Sequence, residues 1–258
     1  MTATSLFSLL ALLSLNVKFP ENAMAWVEQA LRWLHFLAGI TWIGLLYFFN
    51  LVNVPFMKAL DAPTRGKVVP QLMPRALWWF RWSAVVTVVA GLLYFIILLD
   101  TDAKNAGNPG LLWRWLGGWL ITWVVAWAIV YFLLKPTEGA LNNGRVLALL
   151  IAIVVIAASG LVLSLNSHPG ASNKSLSIAV GGGIGIVMLL NVWGVIWPAQ
   201  KRIIAWTKAN AEQGTPIPPE SAKLARIGFK ASRANAWLSI PMLFFMGTSS
   251  HFPFLSGR

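Results

Sequence analysis

The chain has 258 residues, of which 57% are hydrophobic and only 11% charged, and its mean hydropathy is +0.68; soluble domains carry about a quarter charged residues, so that class is excluded. The net charge of +12 comes from 20 Lys and Arg against 8 acids. In a lipid-embedded chain such an excess marks loops kept in the cytoplasm, not a nucleic-acid surface. Cysteine is absent, which removes disulfides, thiolate metal sites, iron–sulfur clusters and haem attached through a Cys-x-x-Cys-His run.

Residues 1–25 read as an N-terminal extension. Leu6 to Leu15 is apolar but too short to span, and Ala23-Met24-Ala25 resembles a signal-peptidase site. No Lys or Arg precedes the run, so a signal peptide and an interfacial segment stay open as alternatives. Residues 26–258 read as one transmembrane domain. A bilayer core needs roughly 20 apolar residues per helix, and Leu31–Val54, Arg81–Leu99, Trp115–Leu134, Val146–Leu165 and Ser175–Trp197 meet that. A sixth stretch, Ala234–Leu255, carries Pro241 and several hydroxyls but is long enough. The expected fold class is all-α, a polytopic membrane bundle of about six transmembrane helices.

The loops after the first, third and fifth spans hold fourteen of the Lys and Arg, and the opposite side holds six. The heavier side is therefore expected in the cytoplasm of a bacterial inner membrane, with both ends of the six-helix unit outward. The longest loop, Ala199 to Arg233, begins with Lys201, Arg202, Ile203, Ile204, Trp206 and Lys208. That pattern suits an amphipathic helix lying on an anionic leaflet, or a solvated basic loop, broken at Gly214 to Pro219. Most of the fifteen Trp fall near span ends and read as interfacial anchors. Gly181, Gly182, Gly183 and Gly185 allow close approach of a helix or of a flat ligand.

The three histidines, His35, His168 and His251, all fall on the outward side. Arg32, His35, Gly39 and Trp42 recur at intervals of three or four and share one stripe of a helix. A glycine one turn from a histidine leaves a shelf, and His251 repeats the feature with Gly247. Two histidines on separate helices, each beside a gap, suit the axial ligands of a b-type haem, with Arg32 and Arg114 as partners of its propionates. The alternatives are histidines hydrogen-bonded to backbone or lipid headgroups, and a three-histidine copper or zinc site that adds His168. His168 precedes Pro169-Gly170, a turn signal expected to hold it loosely. Asn50, Asn53 and Asn191 are expected to hydrogen-bond between helices. No carboxylate lies inside a span, which disfavours a proton pump or a carboxylate-coupled transporter.

Leu31-Arg32-Trp33-Leu34-His35 continuing to Trp42-Ile43-Gly44 resembles the first helix of the membrane domain of bacterial urate hydroxylases of the PuuD type. Asn191-Val192-Trp193 with Ile196-Trp197-Pro198-Ala199-Gln200-Lys201 is similar to a later block of that domain. Ser239-Ile240-Pro241-Met242-Leu243-Phe244-Phe245-Met246, with His251-Phe252-Pro253, is similar to its last helix. The first block alone is also similar to segments of CopD-type copper proteins and HemJ-type protoporphyrinogen oxidases. The resemblance implies oxidation of urate to 5-hydroxyisourate, with electrons leaving through a cytochrome c domain. This sequence carries no such domain, so a separate cytochrome c is the expected acceptor. A non-catalytic membrane subunit or a permease is the rival reading.

Overall fold

The computed structural model describes residues 19, 20, 22–168 and 171–256. The Leu6–Leu15 run, Lys18, the Pro169-Gly170 turn and Arg258 lie outside the described residues. Among the described residues every regular element is helical. In chain order they are α1 (Ala23–Tyr47), a π-helical turn (Phe48–Asn53), α2 (Val54–Ala59), α3 (Ala62–Asn105), α4 (Leu111–Leu134), a short 3₁₀ turn (Ala140–Asn142), α5 (Gly144–Asn166), α6 (Asn173–Asn191), a second π-helical turn (Val192–Ile196), α7 (Trp197–Gln213) and α8 (Glu220–His251).

The starts are set by local chemistry. Asn22, Asp61, Asn143 and Ser172 each accept a backbone N–H of the first helical turn, at 2.7 to 3.1 Å, which satisfies donors that have no partner inside the helix. Gly214 ends α7 with φ +66°, a left-handed conformation that favours glycine.

Five helical stretches are long and apolar enough to cross a membrane: Ala23–Ala59, Ala62–Asn105, Leu111–Leu134, Gly144–Asn166 and Asn173–Gln213. The chain is a multi-pass membrane protein. The sixth expected span falls in α8, which is 32 residues long but less apolar. Its first half carries Lys223, Arg226, Lys230 and Arg233, and its second half is diluted by Asn235, Pro241 and a run of hydroxyls. These polar groups are spent inside the bundle. Asn191 Nδ2 donates to Asn235 Oδ1 at 2.9 Å, and Asn235 Nδ2 donates to the Met188 carbonyl at 2.9 Å. Asn50 Nδ2 reaches Ser232 Oγ at 2.9 Å, and Tyr47 shares a hydrogen bond with Ser239. Asn50 and Asn191 thus bridge helices as expected, whereas Asn53 Oδ1 has no partner.

The central element is α6. In its apolar window 72% of the residues are buried, against 22% to 39% for the other four stretches. Its glycines explain how neighbours come so close. A Cβ on Gly183 would lie 1.8 Å from Trp123 Nε1, and one on Gly181 would lie 3.2 Å from the Met242 carbonyl. Trp119 and Trp123 both donate to the Ala179 carbonyl, at 2.6 and 3.2 Å. Trp115, Trp119 and Trp123 are therefore core residues of α4, not interfacial anchors, while Trp26, Trp33, Trp78, Trp79 and Trp113 are exposed as belts require.

Two expectations about the basic side change. The stretch between the first two spans is almost wholly helix, because α3 begins at Ala62 and runs 44 residues, about 66 Å against a hydrocarbon core of about 30 Å. The Lys201–Lys208 segment continues α6 through the π-helical turn and packs on α3 and α8, where Gly66 meets Ala211. Ile204 packs on the core, so the segment is a continuation of α6 and not a separate helix.

Candidate functional site

At the other end of the bundle, α1, α3, α6 and α8 surround a cavity of about 580 Å³, a size typical of sites for cofactors or small molecules. Five of the six sequence-selected residues line it: His35, His251, Arg32, Gly39 and Gly247. Arg114 does not; it is exposed at the start of α4, off the buried Trp115–Trp119–Trp123 stripe. His168 does not line it either. Its ring stacks on Trp115 at 4.3 Å between centroids and 6° between planes. Among the described residues no group of three or more His, Cys, Asp and Glu is placed to hold a metal ion, and the three histidines do not share one wall.

His35 is fixed by α3. Its Nδ1 lies 2.8 Å from the Thr87 carbonyl, and since a carbonyl only accepts, Nδ1 carries the proton and Nε2 keeps its lone pair. Second-sphere anchoring of this kind is what metal-ligating histidines use. Gly91 makes the approach possible: a Cβ there would sit 2.8 Å from His35 Nδ1 and 2.9 Å from Cε1. Thr87 and Gly91 carry no signal in the sequence, because nothing local to either position points to a histidine more than fifty residues away.

The walls are low. A Cβ on Gly44, Gly185 or Gly247 would meet nothing within 4 Å, and one on Gly39 only ordinary contacts with Thr87. These four glycines open space into the cavity, whereas Gly181 and Gly183 serve helix packing. The charged complement is cationic, beside the hydroxyls of Tyr47, Thr87, Ser249 and Ser250. Arg32 and Lys174 line the cavity and none of the lining residues is acidic. Trp42 and Tyr94 line it too, both nearly fully buried, and Trp42 Nε1 and the Tyr94 hydroxyl have no hydrogen-bond partner.

The ends of α6 and α8 are tied at this place by Asn173. Its Nδ2 donates to the Thr248 and Ser249 carbonyls at 3.0 and 3.2 Å, and its Oδ1 accepts from the amides of Phe254 and Leu255, both at 3.1 Å. One side chain thus ties the start of α6 to the last helical turn of α8, which ends at His251, and to the segment after it.

The model of the family described as urate oxidase N-terminal matches residues 59–258. The chain belongs to the urate oxidase N-terminal family. Comparison with curated proteins and with solved structures returns no significant match. The family match takes in Thr87, Gly91, Lys174, Gly247 and His251, and begins after the helix that supplies Arg32, His35, Gly39 and Trp42. Membership in the family therefore rests on α3 to α8, which include His251, while α1 adds His35.

Proposed function

We propose that this membrane protein is an oxidoreductase acting on urate or a similar purine, with a b-type haem held between His35 and His251 and a separate cytochrome c as electron acceptor. The observation that carries the reading is the single cavity lined by both histidines, one of them anchored through Nδ1 with Nε2 left over. The residues fit such a group. Two imidazoles come from different helices, the glycine walls admit a flat body, and cations at one end suit carboxylates. A haem so bound would accept and pass on single electrons. The chain's own part is to hold the imidazole tautomer through Thr87, to surround the ligand with a mostly apolar lining, and to keep acids away from an anionic ligand.

The substrate class comes from the family, whose match takes in the α6 and α8 blocks of the resemblance. Oxidation of urate to 5-hydroxyisourate consumes one water and releases two protons and two electrons, so an acceptor is required. The positive-inside distribution favours an inner-membrane orientation with the cavity outward, on the side where a soluble cytochrome c would dock.

The test is spectroscopic. Purified protein should show a reduced-minus-oxidised haem spectrum that is lost in His35→Ala and in His251→Ala and kept in His168→Ala. Urate should reduce the haem, and cytochrome c should reoxidise it. Purified protein without haem, or haem retained by both Ala variants, overturns the haem assignment. Haem present but unresponsive to urate overturns the substrate and favours a non-catalytic membrane subunit.

A further inference from the structure

We propose that Lys174, acting with Arg32, is the anion-recognition pair of the cavity. It holds the charge of a planar ligand at the mouth, either the ring charge of an oxopurine anion or the carboxylates of a porphyrin. The inference rests on the proposed function for the nature of the ligand, and on the following observations for the role of the residue.

Lys174 lies in the first turn of α6, a place where the helix dipole disfavours a cation and where acids are the usual choice. The first turn of α6 has no acid, and among the described residues no acid lies within ion-pair distance of Lys174 or Arg32. The ammonium is instead steadied over the face of Tyr94, 5.0 Å from the ring centroid. A carboxylate partner would cancel the charge, whereas an aromatic face positions the cation and leaves its charge available. Tyr94 and Lys174 both line the cavity, and the Tyr94 hydroxyl beneath has no partner of its own. Asn173, the preceding residue, ties the start of α6 to the end of α8, so Lys174 is placed beside the last helical turn of α8, which ends at His251. Two cations without an ion-pair partner among the described residues, on a cavity that no acid lines, favour anions over neutral rings of the same shape.

The experiment uses the full chain in detergent as wild type, Lys174→Gln, Lys174→Arg and Arg32→Gln. Lys104→Gln is the control, since Lys104 pairs with Asp100 on an exposed helix end. Urate serves as the anionic probe and hypoxanthine as the neutral one, both titrated calorimetrically at low and high salt, and the haem spectrum and midpoint potential are recorded for each variant. If the oxopurine is the anion, Lys174→Gln weakens urate binding about tenfold or more, leaves hypoxanthine unchanged, and Lys174→Arg restores most of the loss. If the porphyrin carboxylates are the anion, Lys174→Gln loses haem or shifts its potential, with the same rescue by Arg, while urate affinity stays put. Wild type that binds either ligand, with Lys174→Gln indistinguishable from Lys104→Gln in every readout, overturns the proposal alone. Wild type that binds neither overturns the proposed function and this proposal with it.

Discussion

Replacing Gly91 by Ala tests the geometry on which the site depends. In an open helix this change adds about 1 kcal/mol of helix stability. Here the new methyl would lie 2.8 Å from His35 Nδ1 and 2.9 Å from Cε1, closer than carbon and ring atoms tolerate, so the imidazole must move. Moving it breaks the 2.8 Å hydrogen bond to the Thr87 carbonyl. Overpacking costs about 1–3 kcal/mol and the lost hydrogen bond about 0.5–1.5 kcal/mol. Gly44→Ala is the matched control, because its methyl meets nothing within 4 Å and it keeps the propensity gain. The two variants should therefore differ by about 2–4 kcal/mol in stability, read as the shift in denaturant or thermal unfolding of detergent-solubilised protein. The proposed haem should be loosened in Gly91→Ala as well. If Gly91→Ala is as stable as Gly44→Ala and keeps an unchanged haem spectrum, His35 does not lie against α3 and the anchoring argument is wrong.

Gly183→Ala should be the most damaging glycine change, at about 3 kcal/mol or more, since its methyl would fall 1.8 Å from the fully buried Trp123 indole; failure to accumulate in membranes is the expected result, and normal yield with an unshifted unfolding midpoint would refute it. Asn173→Ala removes four hydrogen bonds at the end of α8, about 2 kcal/mol in net terms, and hydrogen exchange should rise over residues 248–256 while α1 is unaffected. Burial, and secondarily Arg226, hold the Lys230 ammonium below the ordinary lysine range. Because the folded state then binds its proton less well than the unfolded one, stability should rise with pH through the interval below about 10.5, and Lys230→Met should flatten that rise in a pH series of melting curves. A reporter active only in the cytoplasm, fused after Arg258, should be silent if the positive-inside orientation holds, and a strong signal would reverse it.

The helices were legible because lipid leaves the chain little choice: runs of about twenty apolar residues must satisfy their backbone internally. Their lengths were not, because hydropathy stops at the last apolar residue. The polar first half of α3 and the whole of α7 continue as helix by packing on each other outside the apolar stretches. The site was half legible. His35, Arg32, Gly39 and Trp42 share a stripe readable from spacing alone, and His251 repeats it with Gly247. What spacing could not supply is which helix faces that stripe, so Thr87 and Gly91 had no signal.

The choice of second cation shows the same division in a case where a signal existed. Arg114 satisfies the requirement of lying at the right end of a helix, but it neighbours Trp115, the first residue of the i, i+4, i+8 stripe Trp115–Trp119–Trp123 that α4 buries against α6. One residue along a helix is about 100° around it, which turns Arg114 out of the bundle, and it is indeed exposed. Lys174, like Arg114, lies in the first turn of its helix, but that helix is the one most deeply buried in the bundle, and the Lys174 ammonium lies over Tyr94 on the cavity wall. What separates the two cations is what each faces: Arg114 turns to the exterior, and Lys174 lines the cavity that both histidines line.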